Sequence, residues 1–373
     1  MQKIISNCTI YSGDKILKDH AIIIENGIIN SVCIITELPL NAEIIDLKGL
    51  NISAGFIDMH INGGEQFHFI ESPTEAAIND IYESSLKYGT TEVMPCLITS
   101  SHENIIKGIE AIKNYQQKYK NGVIGMHLEG PFISPEKRGA HLLKYLRAPT
   151  NAELQEIIRI GKNVIKVMTI APERFTDHQL DMLLDSDIVI SAGHSNCSFK
   201  EARYYFDKGI KLVTHLYNAM SPFSHREPGL VGATFADESV YAPIILDGAH
   251  CDFAAAKIAY QLKKEKLILI SDALFLSNKK QTFKWDDFEA NLVDGIYRNP
   301  EGNLAGAAIS MADAVKNAVQ HMNVSLAEAV QMATGRVAKA INQQQFIGKI
   351  EAGYPARFVK FTDDLQIVES LIL

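Results

Sequence analysis

The sequence has no uninterrupted apolar run approaching the roughly 18 residues that a membrane-spanning helix requires. Its first eight residues also lack the apolar stretch of a secretory signal, so the expected location is the cytoplasm. The five cysteines (Cys8, Cys33, Cys96, Cys197 and Cys251) include no C-x-x-C spacing, which argues against a zinc ribbon or a redox pair. Reduced, mostly buried thiols are the plain reading. No internal repeat, low-complexity tract or long linker interrupts the chain. Basic residues are in deficit, 36 Lys and Arg against 44 Asp and Glu, for a net charge of -8. Nucleic acid is therefore a poor partner, while an anionic small ligand could still be held by local basic groups. What is present is ordinary for a globular chain of 373 residues: 47 % apolar and 21 % charged, enough for one large core or two modest ones.

The two ends of the sequence share one pattern. Residues 3–10, 21–25, 28–35 and 42–46 read as short strands, and Asn26-Gly27 between two Ile-rich runs predicts a tight hairpin, because both positions tolerate positive φ. A further β-like stretch runs from Gly348 through 358–361 to 367–373. Residues 1–53 and 343–373 are thus expected to form one small β-sandwich domain. Between them, over 54–342, short apolar strands alternate with amphipathic helices. Eight strands are predicted, at 55–59, 92–98, 123–128, 164–170, 187–192, 211–214, 242–246 and 266–270, with helices over 74–87, 104–119, 152–160, 199–208 and 253–264. Eight such units make a (β/α)8 barrel, with a doubly wound sheet as the competitor. His60, Glu129, His194, His215, His250 and Asp272 each stand at or just past the end of a different strand. A barrel gathers those ends on one face, which favours it. The polar stretch 277–296 reads as a loop or small hairpin flanking that face.

Glu129, His194 and His215 form a carboxylate and two imidazoles, a ligand set that leaves a divalent metal one position open for water. Taken singly, a surface glutamate and two core histidines would be unremarkable; three at strand ends are not. Asp272 ends the apolar run 267–270, where a carboxylate is costly unless paired, protonated or near a metal, and it suits a general base that later acts as acid. His250 could polarise a carbonyl or support Asp272. Arg226 offers a planar fork for phosphate, against the plainer reading of a solvated loop arginine. His20, His68, His102, His127, His178, His225 and His321 read as structural or surface residues.

With these residues in hand, the chain resembles the N-acetylglucosamine-6-phosphate deacetylases of the amidohydrolase superfamily over nearly its whole length. The resemblance is carried by residues 55–64, 127–132, 137–141, 191–196, 214–220, 226–230, 247–250 and 271–273, and His-Leu-Tyr-Asn-Ala-Met followed by Arg-Glu-Pro-Gly is its most specific part. It implies hydrolysis of the N-acetyl group of N-acetylglucosamine 6-phosphate to glucosamine 6-phosphate and acetate, in amino-sugar catabolism. It further implies that Glu129, His194 and His215 hold one divalent metal, zinc by preference, with iron, manganese and cobalt also suited to one Glu and two His. Asp272 is the implied acid/base and His250 the contact of the acetyl carbonyl, with Asp247, Gly248 and His250 lining the sugar site. Ala140 and His141 are implied at sugar hydroxyls, and Asn218, Ala219 and Arg226 at the phosphate. Ala305, Gly306 and Ala307 match a loop that closes over the substrate, and a homodimer is implied. Many amidohydrolases carry His-x-His after the first strand; here His60-Ile61-Asn62 keeps half of it, so one metal is expected, with His60 as the candidate ligand of a second. Ala356-Arg357 replaces the Ala-Asp of many relatives, in the β unit and away from the chemistry. The alternatives are the galactosamine epimer, another amide such as a cyclic ureide, and a barrel that has lost catalysis. Glu129 stands where cyclic-amide enzymes use a modified lysine, which disfavours the ureide.

Overall fold

Eight parallel strands enclose the centre of the molecule in the computed structural model, which describes residues 2–34, 42–277 and 280–373. They are β1 (Phe56–Ile61), β2 (Thr90–Ile98), β3 (Met126–Glu129), β4 (Ile165–Ile170), β5 (Val189–Ala192), β6 (Leu212–Val213), β7 (Ala242–Ile245) and β8 (Leu267–Ile270). The first six form one sheet in sequential order, and β7 pairs with β8. Two seams close the ring. Val213 N–H donates to Tyr241 O at 3.0 Å between β6 and β7, and Asp272 N–H donates to His60 O at 2.9 Å where β8 meets β1. Every residue of β1, β2, β7 and β8 is buried, the pattern of parallel strands covered on both faces.

The predicted strands fall within a few residues of the observed ones, and the five predicted helices are all present. Four of their starts are fixed by side chains that satisfy orphan amides: Thr74, Ser101, Thr150 and Ser198 each accept from the backbone N–H three residues on. No helix among the described residues is long and apolar enough to cross a membrane.

The chain ends build two facing antiparallel-rich sheets. One has Ile28–Ile34, His20–Glu25, Lys3–Ser6 and Glu43–Asp46 as neighbours; the other has Val368–Ile372, Arg357–Phe361, Asn51–Ala54, Thr9–Ser12 and Lys15–Leu17. Ile5, Ile10, Ile22, Ile52 and Phe358 pack between them. The stretch 3–10 is two strands rather than the one expected, because Asn7 takes φ 54° and passes the chain from one sheet to the other. At the expected hairpin Asn26 and Gly27 have φ 51° and 78°, the left-handed pair such a turn demands. In the stretch expected as a loop or small hairpin, Thr282–Trp285 and Phe288–Val293 pair as a hairpin, and Ile296–Arg298 extends it to a three-stranded meander. Ile35 and residues 278–279, which belong to those expected segments, lie outside the described residues.

Arg357 joins the sandwich to the barrel. Its Nε lies 2.8 Å from Glu92 Oε1 on β2, with both side chains largely buried. Burial pushes the Glu92 carboxyl up to about 7 from 4.5, against the opposing charge of Arg357. Between those values the folded chain holds a proton that the unfolded chain has lost, so stability falls as pH rises from 4.5 to about 7. Arg357→Ala strands the Glu92 charge, and at pH 8 it is expected to cost about 3–5 kcal/mol in urea unfolding while leaving turnover at low temperature unchanged. At pH 5, where Glu92 is protonated in the fold, the deficit should shrink. Equal stability of variant and parent at both pH values would contradict the pairing.

Candidate active site

Three of the strand-end residues share an uncommon backbone conformation. His194 after β5, His215 after β6 and Asp272 after β8 have φ of 48°, 33° and 47°. Left-handed non-glycine residues cost about 1–3 kcal/mol each, and they persist where the surroundings over-determine them. At Asp272 the backbone N–H donates to His60 O at 2.9 Å and the carbonyl accepts from Ala307 N–H at 2.8 Å. His194 O accepts from Ser134 N–H at 2.9 Å. Gly193 precedes His194 because a Cβ there would stand 2.5 Å from Thr214 Cβ.

These turns bring three donor atoms together. His215 Nε2 lies 3.1 Å from Glu129 Oε1 and 3.1 Å from His194 Nε2, and His194 Nε2 lies 3.2 Å from Glu129 Oε1. The imidazole protons can be assigned. His194 Nδ1 donates to Lys137 O at 2.8 Å and His215 Nδ1 donates to Asn218 O at 3.1 Å, since a carbonyl oxygen can only accept. In the neutral rings both Nε2 atoms therefore present lone pairs, facing each other and a carboxylate oxygen. Such a cluster is repulsive without a shared positive charge. Donors about 2.0–2.1 Å from a tetrahedral divalent ion would be separated by roughly 3.3 Å, close to what is found, so the residues fit a metal. Burial opposes ionisation of Glu129, but the surrounding His60, His141, His194 and His215 hold its carboxyl well below the usual range.

A second trio, His60, Cys96 and His127, is buried close together. It suits a metal poorly. His127 Nδ1 donates to Met59 O at 3.1 Å, so its Nε2 lone pair is left to the Thr169 hydroxyl at 2.7 Å. His60 instead sits between the carboxylates, with Nε2 3.4 Å from Glu129 Oε2 and 3.3 Å from Asp272 Oδ1. Asn62 Nδ2 donates to Asp272 Oδ1 at 2.8 Å, an orienting contact rather than ligation.

A cavity of about 440 Å³ opens over this cluster. Among the expected site residues, Glu129, Ala140, His141, His194, His215, Asn218, Ala219, His250, Asp272, Ala305 and Gly306 line it. Asp247, Gly248 and Ala307 stand behind the lining: Asp247 Oδ2 accepts from His250 Nδ1 at 2.7 Å, and the Ala307 amide holds Asp272. His141, expected at sugar hydroxyls, also reaches the metal carboxylate, its Nε2 being 3.5 Å from Glu129 Oε2. Arg226 is exposed and is not among the lining residues; Arg298, on the last strand of the 282–298 meander, is. His68 lines the cavity too, although nothing in its local sequence marked it. Arg298 and His68 lie away from the ends of the barrel strands, so the strand-end pattern could not single them out.

The amidohydrolase family model matches residues 51–370, most of the chain. The chain belongs to the amidohydrolase family. A second model, the NagA composite domain, matches residues 4–52 in the sandwich. The N-acetylglucosamine-6-phosphate deacetylase of Haemophilus influenzae is 34 % identical over 376 residues, covering 100 % of this chain and 98 % of the relative. The N-acetylgalactosamine-6-phosphate deacetylase of a Shewanella species is 37 % identical over 318 residues, covering 84 % of this chain and 80 % of its own. Among solved structures, the N-acetylglucosamine-6-phosphate deacetylase of Pasteurella multocida superposes with a TM-score of 0.96 at 33 % identity, over 100 % of this amidohydrolase and 98 % of that chain.

Proposed function

We propose that this amidohydrolase hydrolyses the N-acetyl amide of N-acetylglucosamine 6-phosphate, releasing acetate and glucosamine 6-phosphate, in amino-sugar catabolism. The observation that carries the reading is the meeting of Glu129 Oε1, His194 Nε2 and His215 Nε2 within 3.1–3.2 Å of one another, beside Asp272 in one cavity. A divalent cation held by those three residues supplies, when bound, the Lewis acidity that brings the pKa of a water toward neutrality. Asp272 Oδ1 is engaged by Asn62, which leaves Oδ2 to take the proton of the attacking water. The water oxygen bonds the acetyl carbon, the C–N bond breaks, and Asp272 returns the proton to the departing nitrogen. His250 lines the cavity with its ring oriented through Nδ1 by Asp247 Oδ2, and is placed to meet the acetyl carbonyl. Of the cavity-lining residues, the reading gives Ala140 and His141 to the sugar and Asn218 and Ala219 to the phosphate, with Ala305 and Gly306 in the segment that closes over the substrate.

On the family resemblance we also propose zinc as the native metal, a single metal per subunit, a cytoplasmic location, a homodimer, and a domain division at 53/54 and 342/343. Arg226, exposed and outside the cavity lining of its own chain, then reaches phosphate only across a subunit contact. Arg226→Ala is expected to raise KM for the phosphorylated sugar several-fold more than for the unphosphorylated one. Equal changes on both would remove Arg226 from phosphate recognition.

The galactosamine epimer is the second reading, favoured by the Shewanella relative at 37 % identity. Acetate release from the 6-phosphates of N-acetylglucosamine and N-acetylgalactosamine, assayed with metal analysis of the same sample, separates the two. Turnover of neither would end the deacetylase reading.

A further inference from the structure

We propose that His68 orients the substrate, its Nε2–H donating a hydrogen bond to a hydroxyl of the sugar bound in the cavity. The proposal rests on the deacetylase reading. His68 is fully buried, and its Nδ1 accepts the Ile70 N–H at 3.2 Å. A ring nitrogen that accepts carries no proton, so the proton of the neutral imidazole is on Nε2. Burial pushes the ring pKa down to about 3, and the neutral tautomer therefore persists at working pH. One ring face stacks on Phe283 of the meander, with centroids 4.6 Å apart and planes 8° from parallel, while Phe275 meets the ring edge-on at 5.9 Å. Nδ1 and one ring face are thus occupied, while His68 itself lines the cavity. Nε2 is nonetheless buried without a hydrogen-bond partner in the protein.

An unpaired buried donor forfeits its hydration for nothing unless a ligand completes it. Asn62 offers the complementary group on the same cavity wall. Its Nδ2 is spent on Asp272, and its Oδ1 is buried with no partner. The two residues are held on paired segments, since Gly63 bridges His68 and Phe69 N–H donates to Asn62 O at 2.8 Å. A hydroxyl both accepts and donates, so it can satisfy His68 and Asn62 together, whereas a phosphate or ring oxygen only accepts. The apolar neighbours Leu274, Phe275, Phe283 and Phe288 also suit a neutral group better than a charged one.

The test compares His68→Phe, which keeps the stack and removes the donor, with His68→Gln, which restores an N–H. Substrates are N-acetylglucosamine 6-phosphate and its 1-deoxy, 3-deoxy and 4-deoxy analogues, and each variant's Tm is recorded. His68→Phe is expected to raise KM for the parent sugar about 10-fold with little change in kcat, and His68→Gln to recover most of the loss. For the analogue lacking the contacted hydroxyl, the parent enzyme and His68→Phe should have equal kcat/KM. A loss of the same size on every substrate, as from a packing defect or the lost Ile70 contact, would overturn the proposal, as would no loss at all. Inactivity of the parent enzyme on both amino-sugar phosphates would instead overturn the functional reading, and this proposal with it.

Discussion

Asp272→Asn is expected to lower kcat by roughly 10²–10⁴-fold while leaving the metal content of the purified protein unchanged. The substitution preserves nearly everything except basicity. Asn tolerates the left-handed φ of 47° at this position better than most residues, so the β8 turn survives. Its side-chain oxygen can still accept from Asn62 Nδ2, as Asp272 Oδ1 does at 2.8 Å. What disappears is the second carboxylate oxygen, the only part of Asp272 that neither Asn62 nor His60 engages. Glu129, His194 and His215 are untouched, so metal should be retained and KM should change little. Steady-state kinetics beside elemental analysis checks both halves. Unchanged turnover would remove Asp272 from the proton transfers, and lost metal would move it into the ligand set.

Removing the cation should cost stability as well as activity. Two imidazole lone pairs and a carboxylate oxygen stand 3.1–3.2 Å apart in the native fold, an arrangement favourable only around positive charge. A ligand at about 100 times its Kd stabilises the state that binds it by about 2.7 kcal/mol. Chelation is therefore expected to lower Tm by roughly 3–4 °C and to abolish acetate release, both restored by adding back a divalent metal. His194→Ala should start at the lower Tm and be insensitive to chelator. A wild type that keeps full turnover and an unchanged Tm after exhaustive chelation would contradict the metal assignment.

Much of the barrel was legible because parallel strands buried on both faces leave continuous apolar runs, as in Ala242–Ile245 and Leu267–Ile270. Glu129, His194 and His215 were legible for a related reason: a barrel gives the residue after each strand a shared destination. The Asn26-Gly27 turn was readable because so few residue pairs accept two positive φ values in succession. Other features depend on the third dimension. The break at Asn7 reflects a strand changing sheets, and the Glu92–Arg357 pair joins a barrel strand to the C-terminal part of the sandwich, far apart in sequence. Arg357 looked like a bland departure until its partner was in view. His68 sits in the loop after β1 with no strand-end signature, and only the Ile70 amide and the Phe283 ring make its free nitrogen meaningful. Proton positions on His194 and His215 likewise follow from carbonyls far from them in sequence or just across a turn.

Anomalous diffraction at the absorption edge of the bound metal, on crystals of the enzyme as purified, tests the shared cation most directly. The expected result is one peak per subunit, within bonding distance of Glu129 Oε1, His194 Nε2 and His215 Nε2. A peak confined to His60, Cys96 and His127, or no peak after loading with zinc, iron, manganese and cobalt in turn, would contradict it.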